Sequence, residues 1–189
     1  IDSWDVGQGA HDDGAGCVMA MQALTLLRKL NLRPRRTIRV VLWTGEEIGL
    51  SGAKRYAEDH ADELARHVAA IEADIGCFRP TGYGVDCRDK GRRGVAEKQL
   101  RAMLDACASI GRLEVFPGQS APDVSPLKPH GVLVLGHETD PSGYFDYHHT
   151  HADTLDKINP RDLQHNVAIM AVVAHAIADL PVRFGESGR

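Results

Sequence analysis

Thr44-Gly45-Glu46-Glu47-Ile48-Gly49-Leu50 directly follows Thr37-Ile38-Arg39-Val40-Val41-Leu42-Trp43, a run rich in β-branched and apolar residues. The run reads as a buried strand, and Gly49–Leu64 after it reads as a helix. Two adjacent carboxylates at the carboxyl end of a strand stand where open α/β sheets place their chemistry. Neighbouring side chains on an extended or turning backbone point in different directions. One carboxylate can therefore bind a metal while the other faces a water beside it. The plain alternative is a solvated acidic turn, favoured by the dipole of the following helix. Taken alone, Glu46-Glu47 favours the solvated turn, and the rest of the chain reverses that.

Outward from this stretch, acids and imidazoles recur next to expected strand ends. On the N-terminal side, Ile1–Ala10 reads as the end of a strand running into a loop. His11-Asp12-Asp13-Gly14-Ala15-Gly16 follows and opens a helix over Ala15–Leu30, with Cys17, Met21 and Leu24 at helical spacing. Asp12 and Asp13 at a helix start would ordinarily be capping acids. On the C-terminal side, His67–Ile75 reads as a second buried strand, Val68-Ala69-Ala70-Ile71, that closes on Glu72-Ala73-Asp74. Cys77–Arg93 is rich in Gly, Arg and Asp and reads as an irregular loop. Gly94–Ile110 reads as a helix, Leu113–Phe116 as a short strand, and Pro117–Gly131 as a loop with one helical turn. Val132–Leu135 reads as a strand feeding Gly136–Asp153, a loop that carries His137, Tyr144, His148, His149 and His151. Pro160–Leu180 is the closing helix, striped by Leu163, Val167, Met170, Ala171 and Ala174. Alternating strands and helices predict an α/β fold, a doubly wound, largely parallel sheet flanked by helices, formed as a single domain over residues 1–189.

Composition narrows the classes. The 189 residues are enough for one domain with a sizeable core, and 43% hydrophobic with 25% charged residues is ordinary for a globular chain. A net charge of -4 gives no nucleic-acid footprint. No apolar run approaches the ~20 residues of a membrane span. The four cysteines, Cys17, Cys77, Cys87 and Cys107, include no C-x-x-C pair, which argues against a cysteine zinc site. Cys77 and Cys87 flank a glycine-rich stretch and are read either as a disulfide or as free, partly buried thiols.

Four loops thus present Asp12-Asp13, Glu46-Glu47, Glu72 or Asp74, and His148-His149. Carboxylates with imidazole and without thiolate suit zinc in a hydrolytic site, or manganese or cobalt. Several acids with only one or two histidines suit two cations sharing a bridging carboxylate. The succession Ile1-Asp2-Ser3, Gly9-Ala10-His11-Asp12-Asp13-Gly14-Ala15-Gly16, Thr44-Gly45-Glu46-Glu47-Ile48-Gly49-Leu50, Glu72-Ala73-Asp74 and His148-His149-Thr150-His151-Ala152-Asp153-Thr154 resembles the di-zinc aminopeptidase and glutamate-carboxypeptidase family, most nearly its plasma glutamate carboxypeptidase branch.

The resemblance implies a co-catalytic exopeptidase domain acting on short peptides or dipeptides with two zinc ions. It makes Asp12 the bridging ligand. Glu47 and His149 complete one metal, and Asp74 binds the other. Glu46 becomes the general base that passes a proton from the attacking water to the leaving amine. His149 is chosen through the pattern His-Thr-x-x-Asp-Thr, and His148 becomes a candidate oxyanion donor. Asp2 matches an acid that orients a ligand histidine, Asp123 an acidic loop position near the site, and the Asp12–Asp13 peptide is expected cis. His137 and His151 are assigned to loop or supporting positions. The resemblance also implies a histidine directly before Ile1, so the chain is expected to be truncated at its N-terminus, lacking strands and a fifth ligand. Alone it would hold at most one tight metal, be nearly inactive, and carry a raised pKa on one of Asp12, Glu72 or Asp74. An exported or lysosome-like setting and a homodimer are implied as well. The competing expectations are a glutaminyl-cyclase-like zinc acyltransferase and a non-catalytic, receptor-like domain of the same fold.

Overall fold

Leu133–Thr139 forms the strand around which the rest is layered. Leu133, Val134 and Leu135 are fully buried, with alternate side chains serving different cores: Leu133 and Leu135 enter one cluster, Val134 the other. This period of two is that of a strand covered on both faces. The computed structural model describes residues 3–188. In chain order its main elements are α1 (Ala15–Lys29), α2 (Ser51–Asp59), β1 (Ala69–Glu72), β2 (Pro80–Asp86), α3 (Lys90–Asp105), β3 (Glu114–Pro117), β4 (Leu133–Thr139) and α4 (Pro160–Asp179). The sheet order is β1-β4-β2-β3. β1 pairs with β4 and β2 with β3 in parallel, whereas β2 and β4 are antiparallel. The sheet is therefore mixed, and the α/β class with flanking helices holds.

One face packs Leu100, Met103 and Leu104 of α3 and Ile169, Val173 and Ile177 of α4 against Tyr83, Val85, Leu133 and Leu135. The other face packs Ala57, Leu64, Val124 and Leu127 against Val132 and Val134. α1 lies on α4 through Met19, Ala23 and Leu27 against Met170 and Ala171. The helix starts explain themselves locally. Asp89 accepts from the backbone N–H groups of Gly91 and Arg92, so α3 begins at Lys90 rather than Gly94. Asn159 does the same for Arg161 and Asp162, with Pro160 at the first helical position of α4.

Several elements differ from the sequence reading. Pro80–Asp86 is a strand, not an irregular loop. Its glycines permit close approach: a Cβ on Gly82 would collide with the Glu114 carbonyl, and one on Gly84 would stand 2.8 Å from the Gln119 carbonyl oxygen. Thr37–Trp43 joins no ladder among the described residues. A cavity of about 810 Å³ is lined by this run and by Arg66–Ile71. Ladder hydrogen bonds need a neighbour about 4.8 Å away, and open space lies beside this run instead. The run alternates exposed and half-buried residues except at Val40-Val41, which are both half-buried, and it lacks a strand's bonding. The helix after Glu46-Glu47 stops at Asp59, followed by a short 3₁₀ turn at Leu64–Arg66. All four cysteines are buried free thiols, so Cys77 and Cys87 form no disulfide.

His137 lies within β4 rather than in a loop, and it is 2% exposed. Its Nε2 donates to Asn166 Oδ1 at 2.6 Å, and Asn166 Nδ2 donates to the Phe78 and Asp162 carbonyls. Burial lowers its pKa to about 4. The unfolded value is about 6.5. A histidine depressed in the fold contributes stability above its unfolded pKa, and this is lost as pH falls toward the folded value. His137→Gln is therefore expected to cost stability at pH 7, with the Tm gap to wild type narrowing between about pH 6.5 and 4. A gap that stayed constant across a thermal-melt series would refute this account of His137.

Candidate metal centre

Three loops converge at the carboxyl end of β1. Gly9, in a left-handed conformation, turns the chain into a widened helical turn over Ala10–Gly14. Asp12 departs from helical geometry there, and the Asp12–Asp13 peptide is cis. The Asp153 carboxylate holds this turn from across the chain: Oδ1 accepts from the His11 N–H at 2.7 Å and Oδ2 from the Asp12 N–H at 3.1 Å. His11 is locked by the Cys77 N–H donating to its Nδ1 at 3.0 Å and by stacking on Phe78 and Tyr147. It supports the turn rather than facing the acids.

Gly45, also left-handed, makes the bend that presents Glu46 and Glu47. The Ser51 and Gly52 N–H groups close it on the Gly45 and Thr44 carbonyls. A short 3₁₀ segment, Pro141–Asp146, then delivers His148 and His149, whose rings stack at 3.6 Å. His149 Nε2 is 3.2 Å from Asp12 Oδ2 and 2.9 Å from Glu47 Oε1, and His148 Nε2 is 3.5 Å from the same Asp12 oxygen. Ligand atoms of Asp12, His148 and His149 all lie within 4.8 Å of one another. Asp74 follows β1 and feels the charges of Glu46, Asp13 and Glu47, with His149 opposing them. Glu72 points elsewhere, accepting from the Val124 N–H at 2.7 Å in company with the buried Asp123. His151 is exposed, and Asp2 lies outside the described residues.

The electrostatics match the crowding. Asp12 is pushed up to about 8, first by burial, then by Asp74, Glu47, Asp13 and Asp153. Asp74 rises to about 6 through burial and then Glu46 and its other acidic neighbours. Glu72 rises to about 8, chiefly by burial. All three acids are raised, not one of them. Clustered oxygen donors with one or two imidazoles and no thiolate are the donor set of a hydrolytic divalent-cation site, and a cation would relieve their mutual repulsion. The donor set therefore fits a metal.

Three contributors went unassigned in the sequence reading. Asp153 stands in the quoted His-Thr-x-x-Asp-Thr pattern, whose acid signals a partner for the Asp12 turn. Tyr144 is buried with its ring 4.9 Å from His148, and burial together with Asp12, Asp74 and Glu47 keeps its hydroxyl protonated. Trp4 donates from Nε1 to Glu47 Oε2 at 2.9 Å. Nothing local in the sequence marks either aromatic as part of the site.

A mixed sheet covered by helices on both faces, with acids and histidines gathered at a strand's carboxyl end, defines a zinc-exopeptidase-like fold. Residues 1–174 match Peptidase family M28, and the chain belongs to that family. Carboxypeptidase Q of Mus musculus is 38% identical over 180 residues, and that of Homo sapiens 35%. Each alignment covers 95% of this chain but only 37% of the relative, so the chain spans little more than a third of these proteins. The crystal structure of a peptidase M28 precursor from Shewanella amazonensis superposes with a TM-score of 0.84 at 40% identity, over 96% of this chain and 40% of that one. An aminopeptidase from Aneurinibacillus shares the fold, with a TM-score of 0.69 at 24% identity over 96% of this chain and 42% of that chain. No helix of the described residues is long and apolar enough to cross a membrane.

Proposed function

We propose that this chain forms the metal-binding and catalytic part of a zinc exopeptidase that hydrolyses short peptides or dipeptides, in an exported or lysosome-like setting as its family suggests. The observation that carries the reading is His149 Nε2 lying within 3.2 Å of Asp12 Oδ2 and 2.9 Å of Glu47 Oε1. Asp12, Glu47 and His149 would hold one zinc ion, and Asp12 with Asp74 would contribute to a second. Zinc bound there supplies Lewis acidity toward the scissile carbonyl.

The remaining work belongs to side chains. Glu46 sits next to the ligand Glu47 and close enough to Asp74 to be the leading charge acting on it. It would take the proton of the attacking water and return it to the leaving amine. His148, 3.5 Å from Asp12, and the protonated Tyr144 hydroxyl beside it would neutralise charge developing on the carbonyl oxygen. Asp123, beside Glu72, would support the strand end that carries Asp74.

Zinc titration by calorimetry tests the binding half. One tight ion per chain is expected, and its loss on Asp12→Asn. A second ion would draw on Asp12 and Asp74, and its affinity relative to the first is read from the same titration. In the full-length peptidase, peptides with free and with blocked termini test the reaction, with chelator expected to abolish cleavage and zinc to restore it. Absence of any zinc binding would overturn the reading. Cyclisation of an N-terminal glutaminyl peptide without hydrolysis would favour acyl transfer.

A further inference from the structure

Trp4 is an oddity on this surface. It is a large aromatic side chain, 48% exposed, that belongs to none of the hydrophobic clusters of the described residues. It nevertheless has a defined place. Its indole Nε1 donates to Glu47 Oε2 at 2.9 Å, and its ring lies 5.0 Å from the imidazole of His149, tilted by 54°. Glu47 therefore uses its two oxygens differently: Oε2 meets the indole, while Oε1 lies 2.9 Å from His149 Nε2. The two side chains come from separate loops 102 residues apart in sequence. The indole touches both.

We infer that Trp4 is a positioning residue of the metal centre, holding Glu47 through its Oε2 so that only Oε1 is presented toward Asp12 and His149, and bracing the His149 ring from the side. The inference rests on the reading of Asp12, Glu47 and His149 as zinc ligands. A carboxylate free to rotate offers either oxygen or both, and a fixed N–H donor selects one. The same donor limits the entropy lost when the ligand is immobilised. Groups that hydrogen-bond metal ligands from behind typically change metal affinity by about 10–100-fold when removed. A tryptophan can do this from an exposed position because its indole offers a donor and no acceptor, so it cannot compete for the metal.

The chain has two tryptophans, so Trp43→Phe leaves Trp4 as the single indole. In that background the metal-free protein should show an indole N–H resonance that shifts when Glu47 is replaced by Gln. Zinc should change the Trp4 emission with the same dissociation constant that calorimetry reports. With Trp43 restored, Trp4→Phe should weaken zinc binding about tenfold while the Tm of the metal-free protein stays within about 2 °C. In a Glu47→Ala background, which removes the indole's acceptor and leaves only residual zinc binding through Asp12 and His149, the same Trp4→Phe change should alter that residual affinity less than twofold. Wild-type zinc binding with an unchanged affinity in Trp4→Phe would overturn the inference and leave the metal reading standing. Equal losses in both backgrounds would also overturn it, since Trp4 would then act by packing alone. Failure of the wild-type chain to bind zinc would sink both readings together.

Discussion

Glu46→Gln, in the active peptidase, is expected to lower kcat by about 10²–10⁴-fold while bound zinc changes less than twofold. Glu47→Gln, one residue along, is expected to lose metal first and activity in consequence. The two acids leave the Gly45 bend side by side but meet different partners: Glu47 Oε1 is 2.9 Å from His149 Nε2, whereas Glu46 is the foremost charge acting on Asp74. An amide in place of Glu46 keeps the shape and loses the ability to accept a proton. An amide in place of Glu47 loses the anionic donor beside His149. Elemental analysis read together with steady-state kinetics separates the two failures. Near-full activity in Glu46→Gln would remove it from the role of base, and a full zinc complement in Glu47→Gln would remove that residue from the ligand set.

Gly16→Ala should be among the most damaging single methyl additions in the chain. Gly16 lies in the first turn of α1, and a Cβ there would collide with the carbonyl oxygen of Ala73, with the Ala73 carbonyl carbon 3.0 Å away. The obstacle is backbone, so no side-chain rotation relieves it, and α1 must move away from the segment after β1. Overpacking of this kind costs about 1–3 kcal/mol and sometimes more. For a domain of this size that is a fall in Tm of roughly 2–12 °C. The damage should extend to the site. The turn before α1 carries Asp12 and Ala73 adjoins Asp74, so separating the two segments pulls the acids apart. Weaker zinc binding alongside the lower Tm is therefore expected. A variant that melts within about 1 °C of wild type and binds zinc normally would mean that the helix and the strand end are not in contact as described.

How far each part of this protein was legible in its sequence follows from the range of the interactions involved. Ala15–Leu30 and Pro160–Leu180 are readable as helices because their apolar stripes and terminal residues are local signals, and α1 and α4 end within one residue of those bounds. Val132–Leu135 is readable as a strand for the same reason, although β4 runs on through His137 to Thr139. The acids and histidines of the site were visible as short motifs at expected loop positions. β2 was not, because its glycines are the usual mark of a loop and only the neighbouring Glu114 and Gln119 carbonyls show why they are there. The Thr37–Trp43 run shows the converse failure. Its residues carry the strand pattern, yet a strand is a relation between two chains of backbone, and this run has no ladder partner among the described residues.

By itself, then, the sequence determined the α/β class, the long helices and the presence of clustered carboxylates and histidines, all properties of residues near one another in the chain. Only the tertiary structure decided which of them meet. It brings His149 from 137 residues away to Asp12 and from 102 residues away to Glu47. It turns Glu72 toward Val124 and leaves Asp74 among the acids. It also gives Asp153 the backbone of the Asp12 turn and Trp4 the far oxygen of Glu47. These pairings span most of the chain. A hydrogen bond or a repulsion between two carboxylates depends on separations of a few ångströms, which no local pattern of residues encodes.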